Sequence, residues 1–244
     1  MNNGKYSNVL TMLLVVFIVA ILGVIVYFAF DMLNSNKINN DAQTAIDEFQ
    51  KATTPVKRDR TSSSTSNEGE TENEVPTENV VDVNKEALDM LNQATAERET
   101  EKQTEVEPEK VYMENYEVLG TIKIPKTNCE YPILDSITKR SLEIAVGLAP
   151  YGPGLNEVGN SIIFGHNYRN GLFFSNNKNL RNGDVIYITD KTGRTVTYEI
   201  YNIYQTDAND ASYFTRDTEG KREISLQTCT DDGANRIIIW AKEK

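Results

Sequence analysis

Histidine occurs once in the 244-residue chain and cysteine twice, and positive charge is never in excess by more than one unit in any of its three compositional stretches. A lone histidine with no ligand spacing around it argues against a metal centre. Two cysteines permit a single disulfide at most. Without a basic patch the chain offers nothing to a nucleic-acid backbone, so nucleic acid is set aside as a partner.

What is present is unevenly spread. Residues 9–30, VLTMLLVVFIVAILGVIVYFAF, are uncharged and almost wholly apolar, long enough to cross the ~30 Å hydrocarbon core of a bilayer as a helix. A cleavable signal has a shorter apolar region, of about 7–15 residues, and a small-residue cleavage site. The run here ends in YFAFDML and reads as an uncleaved anchor. Lys5 precedes it and Asp31, Lys37, Asp41, Asp47 and Glu48 follow it, which orients residues 1–8 inside and the rest outside the cell membrane.

The net charge of −11 belongs to the middle of the chain. Residues 68–117 hold sixteen acidic and four basic groups, whereas residues 118–244 hold fifteen of each. Residues 31–116 are poor in large apolar residues and rich in Glu, Thr, Ser and Asn, a composition that cannot bury enough surface to offset ordering entropy. They read as an acidic low-complexity stalk, disordered or partly helical, that holds the terminal domain away from the membrane. From residue 117 the texture changes to short alternating runs at 117–124, 130–134, 160–165, 184–190, 195–205, 222–228 and 236–242, punctuated by turns such as RNGD and DKTGR. This is the pattern of a mainly β domain, an antiparallel barrel or sandwich, with a short helix over 138–145.

Three polar residues stand at predicted strand ends. His166 closes NSIIFGH, Cys229 closes EISLQT-C, and Arg236 opens RIIIWAKEK. With TDDGAN as a hairpin loop, Arg236 returns beside Cys229 on the adjacent strand. A thiol ionises at about 8.5 in a free cysteine, and a nearby cation favours the thiolate. An imidazole exchanges protons near neutrality, and a guanidinium holds a carbonyl or the oxyanion developing on it. Together these side chains describe acyl transfer through a thioester. A disulfide between Cys129 and Cys229, stapling a non-catalytic extracellular binding module, stays open on the residues alone.

At these residues the sequence resembles the sortases, membrane-anchored cysteine transpeptidases of Gram-positive bacteria. SLQTC at 225–229 is similar to the family's TLxTC, IIFGHN at 161–167 to its histidine stretch, and LGTIKIPKTNCEYPIL and NLRNGDVIYI to other parts of its barrel. The resemblance covers residues 117–244 and implies an eight-stranded β-barrel with short helices. It implies cleavage of an LPxTG-like sorting signal of a secreted protein and transfer of the acyl group to an amine. That amine belongs to a peptidoglycan precursor or cross-bridge, or is a pilin lysine. It makes Cys229 the nucleophile, His166 the general acid/base, Arg236 the oxyanion or substrate stabiliser, and Thr228 a contributor to the oxyanion site or peptide groove. No cofactor is implied; calcium activates some relatives, and Asp and Glu near 207–219 are too generic to define such a site. The subclass is open, as is a protease that uses water as acceptor.

Overall fold

The computed structural model describes residues 3–53 and 109–244. Nine strands follow the first helix, α1 (Asn3–Thr53): β1 (Tyr112–Met113), β2 (Tyr116–Ile124), β3 (Cys129–Leu134), β4 (Val146–Leu148), β5 (Gly159–Phe164), β6 (Val185–Asp190), β7 (Thr195–Asp207), β8 (Arg222–Cys229) and β9 (Asn235–Glu243). A six-residue helix, α2 (Lys139–Ile144), precedes β4; its cap, Thr138, accepts a hydrogen bond from the Ser141 amide. The sheet runs β1-β2-β3-β4-β5-β8-β9-β7-β6, and β2 pairs with β6 as well. That pairing closes β2 to β9 into an eight-stranded barrel, the predicted architecture, and leaves no free edge among its strands.

Alternation fills the barrel. Along β6 every second residue is buried, and β2 follows the same period over most of its length. Ile122, Ile133, Ile163, Ile188, Leu226 and Ile239 are fully buried in one core cluster, each such side chain contributing about 1.5–3 kcal/mol of transfer free energy. Two pairings are parallel, β3 with β4 and β5 with β8, and the others are antiparallel.

Sequence alternation finds seven strands of the nine. It misses β1 and β4, of two and three residues, because a period of two cannot be read from so short a run. The structure also differs at α1. The helix does not stop with the apolar run but continues through Thr53. Ala42, Ala45, Ile46 and Phe49 recur at the spacing of one helical face and are all buried. Ala45 and Phe49 pack with Val111, Met113, Val118, Leu134 and Ile144 in a second core cluster. Residues 31–53, expected to begin a solvated stalk, are therefore an outer layer of the barrel, and Tyr112–Met113 is a strand. The rest of the expected stalk, 54–108, lies outside the described residues. The portion of α1 before the barrel, from Leu10 on, is exposed and has an 18-residue window of mean hydropathy 3.1, long and apolar enough to cross a membrane.

Candidate active site

Strand register brings the segments that carry the three predicted site residues to one end of the barrel. Cys229 ends β8 and pairs directly with Arg236 of β9, so their side chains leave the same face with Cβ atoms about 4.5–5.5 Å apart. The residues between form a tight turn: the Thr230 amide donates to the Asn235 carbonyl at 3.0 Å and the Gly233 amide to the Thr230 carbonyl at 2.9 Å. Gly233 takes a φ of 74°, where a side chain would be strained. Arg236 is steadied by its own turn, its Nη1 donating to the Gly233 and Asn235 carbonyls at 3.3 and 3.1 Å. Among the described residues no carboxylate pairs with it, so its remaining donors can serve a ligand.

His166 is brought in by β5. This strand lies parallel to β8 with Phe164 opposite Gln227, and the Gly165 amide extends the ladder to the Gln227 carbonyl at 3.1 Å. Beyond that bond β5 leads into His166 as β8 leads into Cys229, and the residue after His166, Asn167, bonds to the Cys229 carbonyl. Gly165 is required there, since a Cβ would lie 2.6 Å from the Phe174 ring. Phe174 in turn donates its amide to the His166 carbonyl at 3.1 Å. The imidazole is half-buried and packs against the Tyr168 ring, with centroids 4.9 Å apart and planes inclined at 34°. Burial holds its pKa below the usual imidazole value, opposed by the negative charge of Glu143.

Asn167 is a part of the site that residue-by-residue reading left without a role. Its Nδ2 donates to the Cys229 carbonyl at 3.0 Å and to Asp231 Oδ1 at 3.0 Å. One side chain thus locks the loop after His166 to the end of the cysteine strand and to its turn. The asparagine directly following the histidine was the available signal.

Along the outer face of the same three strands, Ile162, Phe164 and His166, then Gln227 and Cys229, then Arg236, Ile238 and Trp240 alternate outward. The β7–β8 connection walls this groove: Tyr213 and Phe214 pack with Ile162, Phe164, Ile238 and Trp240, and the Tyr213 hydroxyl donates to Gln227. The connection is pinned by Arg216. Its guanidinium is ion-paired with Glu223, both side chains about nine-tenths buried, donates to Asn160 Oδ1 at 3.0 Å and lies 4.8 Å over the Trp240 ring.

The remaining candidates lie elsewhere. Thr228 is buried and pairs with Ile237 on the interior face, its hydroxyl without a partner; strand alternation that presents Cys229 outward turns the Thr228 side chain away from the groove. Cys129 begins β3 inside the barrel core, and burial pushes its thiol pKa up. Both cysteines are free, so the staple left open by the sequence is not formed. Among the described residues no group of three His, Cys, Asp or Glu side chains is placed to hold a metal ion. In the 207–219 stretch, Asp207, Asp210 and Asp217 cap neighbouring backbone amides.

A family model described as "Sortase domain" matches residues 122–244. Sortase A of Bacillus anthracis is 28% identical over 130 residues, 52% of this chain and 60% of that protein. Sortase D of Bacillus subtilis (strain 168) is 30% identical over 128 residues, 50% and 62% of the two chains. Among solved structures, a Clostridium perfringens Sortase D5 transpeptidase aligns at 28% identity over 52% of this chain and 79% of that one, with a TM-score of 0.48. The chain thus spans about 60% of the length of both curated relatives.

Proposed function

This chain belongs to the sortase family, and from that premise we propose that it is a membrane-anchored cysteine transpeptidase acting on an LPxTG-like sorting signal of secreted proteins. The observation that carries the reading is the register of three strand ends: Cys229 stands opposite Arg236, and β5, two residues before His166, ends opposite Gln227, two residues before Cys229. A peptide laid along the groove past Phe164 and Phe214 brings its scissile carbonyl to Cys229. The thiolate attacks the carbonyl carbon and a C–S bond forms. Arg236 donates to the oxygen on which charge collects. His166, carrying the thiol's proton, gives it to the leaving amine as the C–N bond breaks, and a thioester remains on Cys229.

In the second half an amine attacks the thioester. Its proton passes to His166, the C–S bond breaks, and the imidazole returns the proton to sulfur, restoring the thiol. The acceptor is an amine of the cell wall or its precursor. Cys129 takes no part, since its thiol is enclosed in the core and its ionisation is suppressed.

Incubating the protein with sorting-signal peptides, with and without an added amine, and weighing the products tests the proposal. We expect an amide-linked product that needs the amine, its loss in Cys229→Ala, and its retention in Cys129→Ala. A free-acid product that stays the same whatever amine is supplied would replace transpeptidation with proteolysis. Undiminished transfer by Cys229→Ala would reject both.

A further inference from the structure

An imidazole that moves protons has to be held in one orientation, and the χ2 torsion of a free histidine is broad and roughly two-fold. The common device is a third group hydrogen-bonded to one ring nitrogen, which fixes both the ring plane and the tautomer. Among the described residues no carboxylate, carbonyl or hydroxyl bonds to either nitrogen of His166. What touches the imidazole is the ring of Tyr168, two residues on, at 4.9 Å between centroids.

That ring is itself seated. On its other side lies Phe173, with centroids 5.8 Å apart, and Phe173 lies 5.0 Å from Tyr131 of β3. Phe173 and Tyr131 belong to the barrel core, so the imidazole ends a column of four rings whose far end cannot shift. The loop backbone supports the column: Asn167 bridges to Phe173, and the Tyr168 amide donates to Ser175 Oγ at 3.1 Å. Ser175 is buried and donates in turn to the Leu172 carbonyl at 2.6 Å. The Tyr168 hydroxyl makes no hydrogen bond among the described residues, which leaves the ring face as the working part of the side chain.

We propose that Tyr168 is a positioning residue for His166, its ring doing by packing what a hydrogen-bonded carboxylate does elsewhere. The kinetic side of the inference rests on the transpeptidase reading; the contact itself does not. A ring pair of this kind shifts the balance between two side-chain orientations about 3–10-fold. The same ring keeps water from one face of the imidazole and so disfavours its charged form. The charges on the surrounding elements are few. Glu143 of α2 opposes the effect of burial and is paired with Arg140. Asp231, in the turn after β8, is paired with Lys178 at 2.6 Å, and β8 and β9 bring Cys229 and Arg236. All of these stay in place when Tyr168 alone is changed, so a difference in titration reports the ring.

The chain has one histidine, so the full chain in detergent micelles, carrying isotope-labelled histidine, gives a single titrating imidazole signal by NMR. Tyr168→Phe is expected to keep the titration midpoint and to keep kcat within about twofold. In Tyr168→Ala the midpoint rises toward the ordinary 6.5, and kcat falls about 3–10-fold with KM for the signal peptide unchanged. Tyr168→Leu, which fills the same place against Phe173 without a flat face, loses kcat as Tyr168→Ala does. An unchanged midpoint in Tyr168→Ala, or an unchanged kcat in Tyr168→Ala or Tyr168→Leu, would overturn the positioning role. So would a loss in Tyr168→Phe equal to that in Tyr168→Ala, which would assign the effect to the hydroxyl. Failure of the unaltered chain to form a Cys229 acyl-enzyme would overturn the transpeptidase reading instead, and the titration, which needs no substrate, would still decide whether Tyr168 holds the imidazole.

Discussion

Asn167 spends both its amide hydrogens on the two segments that have to stay in step, the Cys229 carbonyl and the Asp231 carboxylate. Removing it leaves a part-buried carbonyl unsatisfied, at a cost of about 1–3 kcal/mol, and lets the histidine loop drift from the cysteine strand. Asn167→Ala is expected to lower kcat by roughly 10–100-fold with little change in KM for the signal peptide. Asn167→Asp does worse, because it sets a second carboxylate against Asp231. Steady-state kinetics of the three proteins separate this positioning role from a binding role, which would raise KM instead.

His166 also couples pH to stability. Burial lowers its folded pKa below the ordinary 6.5, so between those two values the unfolded chain binds more protons than the folded one. Stability therefore falls as pH drops from about 6.5 through the lower folded value. His166→Gln removes the titrating group. Its denaturation midpoint is expected to decline less than that of the unaltered protein between pH 7 and pH 5, and an equal decline would place the acid sensitivity on other groups.

Among the elements, α1 has two roles along one uninterrupted helix: an apolar stretch with exposed side chains, then a buried stripe on the barrel. Phe49 is 2% exposed and sits among Val111, Met113, Val118 and Leu134. Phe49→Ala in a soluble form starting at Asp31 should cost about 3–5 kcal/mol, read from denaturant unfolding followed by fluorescence. Glu48→Ala, on the exposed side of the same turn, should change stability by no more than about 0.5 kcal/mol. Equal effects of the two would show that the helix does not dock. The β7–β8 connection is the other element whose place depends on a buried contact. Arg216 was not singled out in the sequence because an isolated arginine in a loop has no periodic signature; only folding supplies Glu223, Asn160 and the Trp240 ring around it.

For the whole molecule, alternation and turn residues were enough to read a mainly β domain, barrel or sandwich, since a side chain's face in a strand depends on its own position and a period of two; the closed barrel was implied by the family resemblance. The same period put His166, Cys229 and Arg236 at strand ends, and the hairpin length brought Cys229 and Arg236 together, because that pairing is local in sequence. Apolar length alone picked out residues 9–30 as able to span a bilayer. The tertiary structure decided what depends on neighbours distant along the chain. It laid the strand that leads into His166 along the strand that leads into Cys229, a parallel pairing across sixty-three residues, turned the Thr228 side chain inward, and kept the two thiols from forming a disulfide. It also made a layer of the barrel out of a polar segment expected to be a spacer, because four small or apolar side chains at helical spacing gain nothing until a complementary surface folds against them.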